Sequence, residues 1–321
     1  MTNLSNPIFH NENTARKHLE SIRWPDGPYC PFCGQFETVK ALPPKGSMGK
    51  GWYHCRGCRK KFTVRVGTLY ERSHLPLHKW ILATHLLSSS KKGMSAHQLH
   101  RMLGVTYKTA WFMSHRIREA MRDGVLAPMG GLGGTVEVDE TFIGHNHTIK
   151  PKGQLKGRGY HHKYKVLTLV ERGGKARSIV VNDLKTRTIA PLVRQNLARE
   201  ARLMTDEAAY YTLVGREFAE HGVVHHFRGE YGRGDIHTNT IEGYFSIFKR
   251  GMKGIYQHCA KKHLHRYLSE FDFRYNYRQV TDAERTIAAL KGIEGKRLTY
   301  RRAGQAPKHL SRRRGRFCAG V

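Results

Sequence analysis

Val136-Glu137-Val138-Asp139-Glu140-Thr141-Phe142-Ile143 alternates in character with a period near two, the pattern of a β-strand whose successive side chains point to opposite faces of a sheet. Residues 163–171 and 176–183 read the same way, and the Arg172-Gly173-Gly174-Lys175 run between them is a natural hairpin turn. Beyond them the period changes. Ile189, Leu192, Val193 and Leu197 have helical spacing within residues 188–200. A short strand is expected at 202–205, a helix at 207–220, a strand at 223–227 and a long helix from about Thr238. Three strands able to pair antiparallel, followed by alternating helix and strand, predict an α/β domain on a mixed sheet rather than a bundle or a sandwich.

Two acids end strands in this order. Asp139 lies late in the first strand and Asp206 directly follows the short one, so neighbouring strands would bring both carboxylates to one sheet edge. Glu242 falls in the first turns of the later helix, within reach of the same spot, whereas Glu140 points to the opposite face of a regular strand. Three hard oxygen donors suit Mg²⁺ or Mn²⁺. A pair of such ions about 3.5–4 Å apart promotes in-line displacement at phosphorus, so the chemistry implied is phosphodiester cleavage or transfer. The alternative is that Asp139 and Asp206 are solvated loop acids.

Upstream, Cys30, Cys33, Cys55 and Cys58 have the spacing C-x2-C-x21-C-x2-C. Each CxxC turn can point two thiolates at one ion, and two such turns close a four-sulfur shell around one structural Zn²⁺; a redox pair or an iron–sulfur site is the alternative. A helix is expected at 77–88. Ser95 to Gly104 then reads as a short capped helix stopped by glycine, and Thr106 opens another with Ala110, Met113 and Ile117 on one face. This is a helix-turn-helix, which places Tyr107, Lys108, His115, Arg116 and Arg118 on or near the exposed side. Gly130-Gly131-Leu132-Gly133-Gly134 marks a boundary.

The 321 residues carry 56 Lys and Arg against 25 Asp and Glu, a formal net charge of +31. Nucleic acid is the first partner such an excess suggests; a merely basic surface, as on ribosome-associated or membrane-surface proteins, is the alternative. The N-terminal stretch has no apolar segment of the secretory kind, and the longest apolar run, near Trp80 to Leu87, is too short for a membrane span. A cytosolic protein without disulfides is expected, with Cys259 and Cys318 incidental.

The blocks around Asp139, Met204-Thr205-Asp206-Glu207 and His237-Thr238-Asn239-Thr240-Ile241-Glu242-Gly243, with Phe248-Lys249-Arg250-Gly251, resemble the DDE transposases of bacterial insertion sequences, in particular the subgroup with an N-terminal zinc ribbon. Asp206 and Glu242 are separated by 35 residues, the gap that signature favours. The resemblance covers roughly residues 15 to 280. It implies a ribonuclease H-like catalytic domain with two divalent ions, cleavage at transposon ends, and joining of the freed 3′-hydroxyl to target DNA. Carried over by position, Asp139 would bridge the ions, and Asp206 and Glu242 would each complete a site. Asn239, one turn before Glu242, is the alternative third residue. Lys249, two turns along the same helix, and more weakly Arg250, would meet a DNA phosphate. Pairing of two terminal inverted repeats with target DNA implies a homo-oligomer in the DNA complex, with no role for a membrane.

The expected organisation is an N-terminal segment and zinc ribbon over residues 1–68, a helix-turn-helix domain over 69–128, the catalytic domain over 135–280 and a basic C-terminal tail over 281–321. Residues 153–163 read as a basic loop, and His161 and His162 lack a third ligand nearby. His225 and His226 read as part of a strand. Glu270, Arg274 and Arg278 recur every four residues as an ion-pair ladder beside an aromatic face, and nine Lys or Arg follow from Lys296 onward without an acid. Two other functions fit part of this pattern: a DNA-binding regulator without catalysis, and a metal-dependent nuclease that cuts without joining.

Overall fold

The computed structural model describes residues 3–46, 48–124, 126–144 and 162–299. His161, most of the basic loop, Cys318 and the tail from residue 300 lie outside the described residues.

The chain opens with helix α1 (Glu12–Arg23), whose first turn is capped by the Asn11 side chain accepting from the N–H groups of Asn13 and Thr14. Strands β1 (Val39–Ala41), β2 (Trp52–Cys55) and β3 (Lys61–Thr63) form an antiparallel sheet in that order. Helix α2 (Leu77–Ser89) is apolar on nearly every side and is correspondingly buried. Helices α3 (Ala96–Leu103) and α4 (Tyr107–Ala120) follow. Ser95 and Thr106 cap them, and Gly104 joins them in the left-handed conformation (φ 58°) that ends a helix without steric cost. Leu99, Leu103, Ala110, Met113 and Ile117 are buried between them, as the helix-turn-helix reading requires.

The second half contains β4 (Thr135–Ile143), β5 (Tyr164–Glu171), β6 (Ala176–Val181), α5 (Thr186–Asn196), β7 (Arg202–Asp206), α6 (Ala209–Gly215), β8 (Glu220–Val224), β9 (Gly232–Arg233), β10 (Ile236–His237), α7 (Asn239–Gly251), α8 (Lys261–Asn276) and α9 (Asp282–Lys291). A five-residue π-helical turn, Met252–Tyr256, continues α7. The main sheet has the order β6-β5-β4-β7-β8. Strands β4, β5 and β6 are antiparallel neighbours, whereas β7 runs parallel to β4 and β8 parallel to β7. This is the ribonuclease H-like mixed sheet. One face packs Val136, Val138, Leu167 and Leu203 against Ile189 and Val193 of α5 and Tyr211 and Val214 of α6. The other packs Ile143, Val166 and Val170 against Ile241, Phe245 and Phe248 of α7 and Leu264 and Leu268 of α8.

Four expectations change. The helix expected to run to 220 stops at Gly215, where the His221 ring lies so close that a Cβ would sit 2.0 Å from its Nδ1; β8 therefore starts earlier than expected. His225 and His226 fall beyond that strand, His226 in a short 3₁₀ turn (His226–Arg228). The proposed basic tail from residue 281 begins instead as α9. Thr281 and Glu284 form a capping box there, and Ala289, Leu290 and Ile293 are buried in the N-terminal core, with the helix lying on α2.

The fourth change concerns α4. His115 and Arg118 are not on its exposed side but are buried, 1% and 2% exposed, where α4 meets α8. Arg118 Nε donates to Glu270 Oε2 at 2.6 Å, and Arg274 and the Tyr256 hydroxyl complete the shell around that carboxylate. The ladder expected on α8 is thus a buried cluster joining the helix-turn-helix to the mixed-sheet half, and Arg278 leaves it to donate to the Gly174 carbonyl.

His115 sits among Trp111, His263 and Tyr267, with neither ring nitrogen hydrogen-bonded. Burial, followed by the charges of Arg118, His263, Arg266 and His265, pushes its pKa down to about 2 from the ordinary 6.5. The ring is neutral in the folded chain, while an unfolded chain takes up a proton there below pH 6.5. Stability linked to it is therefore present above pH 6.5 and lost as pH falls, by about 1.4 kcal/mol per pH unit. His115→Phe, which removes two unpaired polar atoms, is expected to stabilise the chain by about 1–3 kcal/mol at neutral pH. Urea titrations at pH 6.5 and 5.0 check the linkage: the variant should lose roughly 1.5–2 kcal/mol less than the parent between the two. Equal losses would remove His115 as the source.

Candidate active site

Two parallel neighbours, β4 and β7, set the position of the first two acids. Thr135 pairs with Arg202, Val136 with Leu203 and Glu137 with Met204, so two further steps along both strands bring Asp139 level with Asp206. Strand alternation puts Glu137, Asp139 and Thr141 on the face covered by α7, and Val136, Val138 and Glu140 on the face covered by α5 and α6. Glu140 accordingly accepts hydrogen bonds from the hydroxyls of Tyr210 and Tyr211 on α6, away from Asp139 as expected.

Asp139 is held up to about 7, first by burial and then by the charge of Asp206; Glu242 adds to the rise, while the Glu140 N–H (2.6 Å to Oδ1) and Lys249 oppose it. Burial also raises Asp206, against the Ala208 N–H and the positive charge of His226. Asp139, Asp206, Glu242 and Lys249 are thus brought into one electrostatic neighbourhood by β4, β7 and α7. The contribution of His226 was missed, because those residues read as strand.

Asp139 is buried and feels the charges of both Asp206 and Glu242, with Lys249 only partly offsetting them, and an oxygen-only donor set of this kind fits a hard divalent cation. The three acids are not drawn together as tightly as the cysteines are. Among the described residues, the group with ligand atoms all within 4.8 Å of one another is Cys30, Cys33, Cys55 and Cys58. There the Cys30 and Cys58 sulfurs are 3.5 Å apart, and those of Cys33 and Cys55 3.6 Å apart. Four sulfurs about 2.3 Å from a central Zn²⁺ would stand about 3.8 Å apart, so this shell fits a structural zinc ion. The Thr38 hydroxyl and the Cys58 backbone N–H draw the Cys55 thiol down to about 6, whereas burial pushes Cys58 up, so within the shell the first thiolate falls on Cys55.

One further acid belongs to the neighbourhood. Glu137 is wholly buried two residues before Asp139, with its carboxylate between the Ile241 N–H and the Arg172 guanidinium. Its place on the Asp139 face was visible in the alternation of residues 136–143; its partners were not.

Residues 131–276 match the ISXO2-like transposase domain, and residues 10–61 match the transposase zinc-ribbon domain. The chain carries the zinc ribbon and the DDE transposase domain of insertion-sequence transposases. A Halobacterium salinarum protein described as an uncharacterized protein in transposable element ISH50 is 29% identical to the transposase over 279 residues, which are 83% of this chain and 91% of that relative. No helix among the described residues of the transposase is long and apolar enough to cross a membrane.

The residues expected to meet DNA separate into two groups. Tyr107 and Lys108 are exposed at the start of α4, Tyr107 stacked on His97 with ring centres 4.2 Å apart. Lys249 and Arg250 are exposed late in α7. Arg116 differs: its guanidinium lies 4.7 Å from the Phe112 ring centre and its Nε donates to the Leu298 carbonyl, so it is half-buried and engaged within the transposase.

Proposed function

We propose that this transposase cleaves the ends of its element in a divalent-metal-dependent reaction and transfers the freed 3′-hydroxyl strand into target DNA. The observation that carries the reading is that the strands bearing Asp139 and Asp206 are parallel neighbours, with the charges of Asp206 and of Glu242 on α7 both acting on buried Asp139. Asp139, Asp206 and Glu242 would hold two Mg²⁺ or Mn²⁺ ions, which when bound supply activation of the attacking oxygen and stabilisation of the departing one. In cleavage, water attacks the phosphodiester and a 3′-hydroxyl leaves; in joining, that hydroxyl attacks a target phosphodiester and displaces its 3′ oxygen. Neither displacement uses a protein nucleophile.

The remaining residues bind and orient. Lys249 offers an ammonium beside the acids for a phosphate, with Arg250 next to it, and Tyr107 and Lys108 offer contacts from the helix-turn-helix. The formal charge of +31 supports long contacts with DNA backbone, both at terminal inverted repeats and at the target. Two ends held in one complex imply a homo-oligomer acting in the cytosol on nucleoid DNA.

Incubating the full-length protein with a duplex carrying an element end, a target plasmid and Mg²⁺ tests the reading. Nicked ends and joined products are both expected. Nicking without joining would indicate a nuclease, and end binding without either product a regulator.

A further inference from the structure

We propose that Glu137 is a positioning residue, which holds the helix carrying Glu242 in place against the strand carrying Asp139. The inference rests on the assignment of Asp139 and Glu242 to the catalytic centre.

A carboxylate with no exposed surface in the central strand of a sheet is costly unless each oxygen is paired. Valine or isoleucine would satisfy the strand at this position. Instead, Glu137 Oε2 accepts from the Ile241 N–H at 2.8 Å, in the first turn of α7. The N-cap residue of that helix, Thr238, makes no side-chain cap bond, and locally only the His237 ring reaches the first turn, accepting from the Asn239 N–H at 3.4 Å. The missing cap comes across from β4, and its negative charge suits the positive end of the helix.

The second oxygen of Glu137 extends the grip. Oε1 accepts from Arg172 Nε at 2.7 Å. The same guanidinium donates to the Asp235 carbonyl at 2.7 Å and to the His237 carbonyl at 2.8 Å, both in the segment that leads into α7. Glu137 and Arg172 together therefore hold both the run-in to the helix and its first turn. Glu242 is the residue after Ile241, and Asp139 lies two residues beyond Glu137 on the same face of the same strand. One short stretch of β4 thus bears an acid of the centre and the anchor for another. Catalytic groups displaced by about 1 Å lose on the order of a hundred-fold in rate, so such an anchor has a large expected effect without touching DNA.

The test compares Glu137→Leu, which keeps an apolar filling of the site, with Glu137→Gln, which keeps one acceptor for the Ile241 N–H. Both are measured as full-length protein beside Asp139→Ala and Glu242→Ala. Nicking of an element end, binding of that end, thermal stability and amide hydrogen exchange over residues 240–242 are followed. Glu137→Leu should retain end binding within about two-fold and melt within a few degrees of the parent. It should nick about a hundred-fold more slowly and exchange the Ile241 amide at least about ten-fold faster. Glu137→Gln should fall between the two. A residue with only a stabilising role would move the melting temperature and spare the rate in the folded fraction. Parent-like nicking and exchange in Glu137→Leu, with Asp139→Ala inactive, overturns the proposal. Should Asp139→Ala and Glu242→Ala both nick normally, the catalytic assignment itself has failed, and the exchange data alone report whether Glu137 anchors α7. If Glu137→Leu does not fold, unchanged exchange and nicking in Glu137→Gln overturn the proposal equally.

Discussion

Asp139→Ala is expected to slow nicking of an element end by about 10³-fold or more while leaving binding of that end within about two-fold. The magnitude follows from what the side chain does: loss of a group that merely orients a metal ligand costs 10–100-fold, and Asp139 is proposed to be a ligand itself, under the charges of both other acids. Its carboxyl is held up to about 7 by burial and by the charges of Asp206 and Glu242. Removing it therefore relieves that repulsion, and the variant should fold at least as well as the parent. Asp206→Ala and Glu242→Ala should behave alike, since β7 and α7 bring them to the same neighbourhood. Asn239→Ala separates the two candidates for the third position: it should cost less than about ten-fold if Glu242 is the ligand. A chain in which Asp139→Ala nicks normally, or in which it fails only because end binding is lost, would remove these acids from the reaction.

What the sequence disclosed about this site, and what it hid, divides by physical range. The alternation of residues 136–143 is a local property of one strand, and it correctly separates Asp139 from Glu140 because adjacent side chains must face opposite ways. The cysteine spacing is legible for a similar reason, since a CxxC turn by itself points two sulfurs one way. The burial of His115 and Arg118 was hidden, because nothing within α4 announces that α8, some 150 residues later, will cover that face. Glu137 was hidden likewise: a strand acid in an alternating pattern looks solvated until the helix that needs its oxygen is placed. Helix α9 was hidden differently: its capping box and its apolar Ala289, Leu290 and Ile293 are local features, but they stand beside a run of Lys and Arg that gives the whole segment the character of a basic tail.

Removal of zinc should have the largest effect on stability. Strands β1, β2 and β3 contain only three, four and three residues, too few to hold a sheet by their own pairing. Cys30 and Cys55 are buried within the same core as Trp24, Phe62, Leu19 and Trp80, so the sulfur shell and the packing of α1 and α2 form one unit. With the ion absent, four thiols face one another at 3.5–3.6 Å and the sheet loses its central fastening. Structural zinc contributes about 10–16 kcal/mol to isolated zinc-finger folds, so chelation or Cys55→Ala should unfold the N-terminal body cooperatively rather than loosen it. Elemental analysis of the purified protein should return one zinc per chain. Thermal melts should show a transition that moves down sharply in chelator and in Cys55→Ala, but barely in Cys259→Ser, whose thiol lies outside the cluster. Less than half an equivalent of zinc, or a melting curve indifferent to both treatments, would mean that the packing around Trp24 and Phe62 holds the ribbon without a metal.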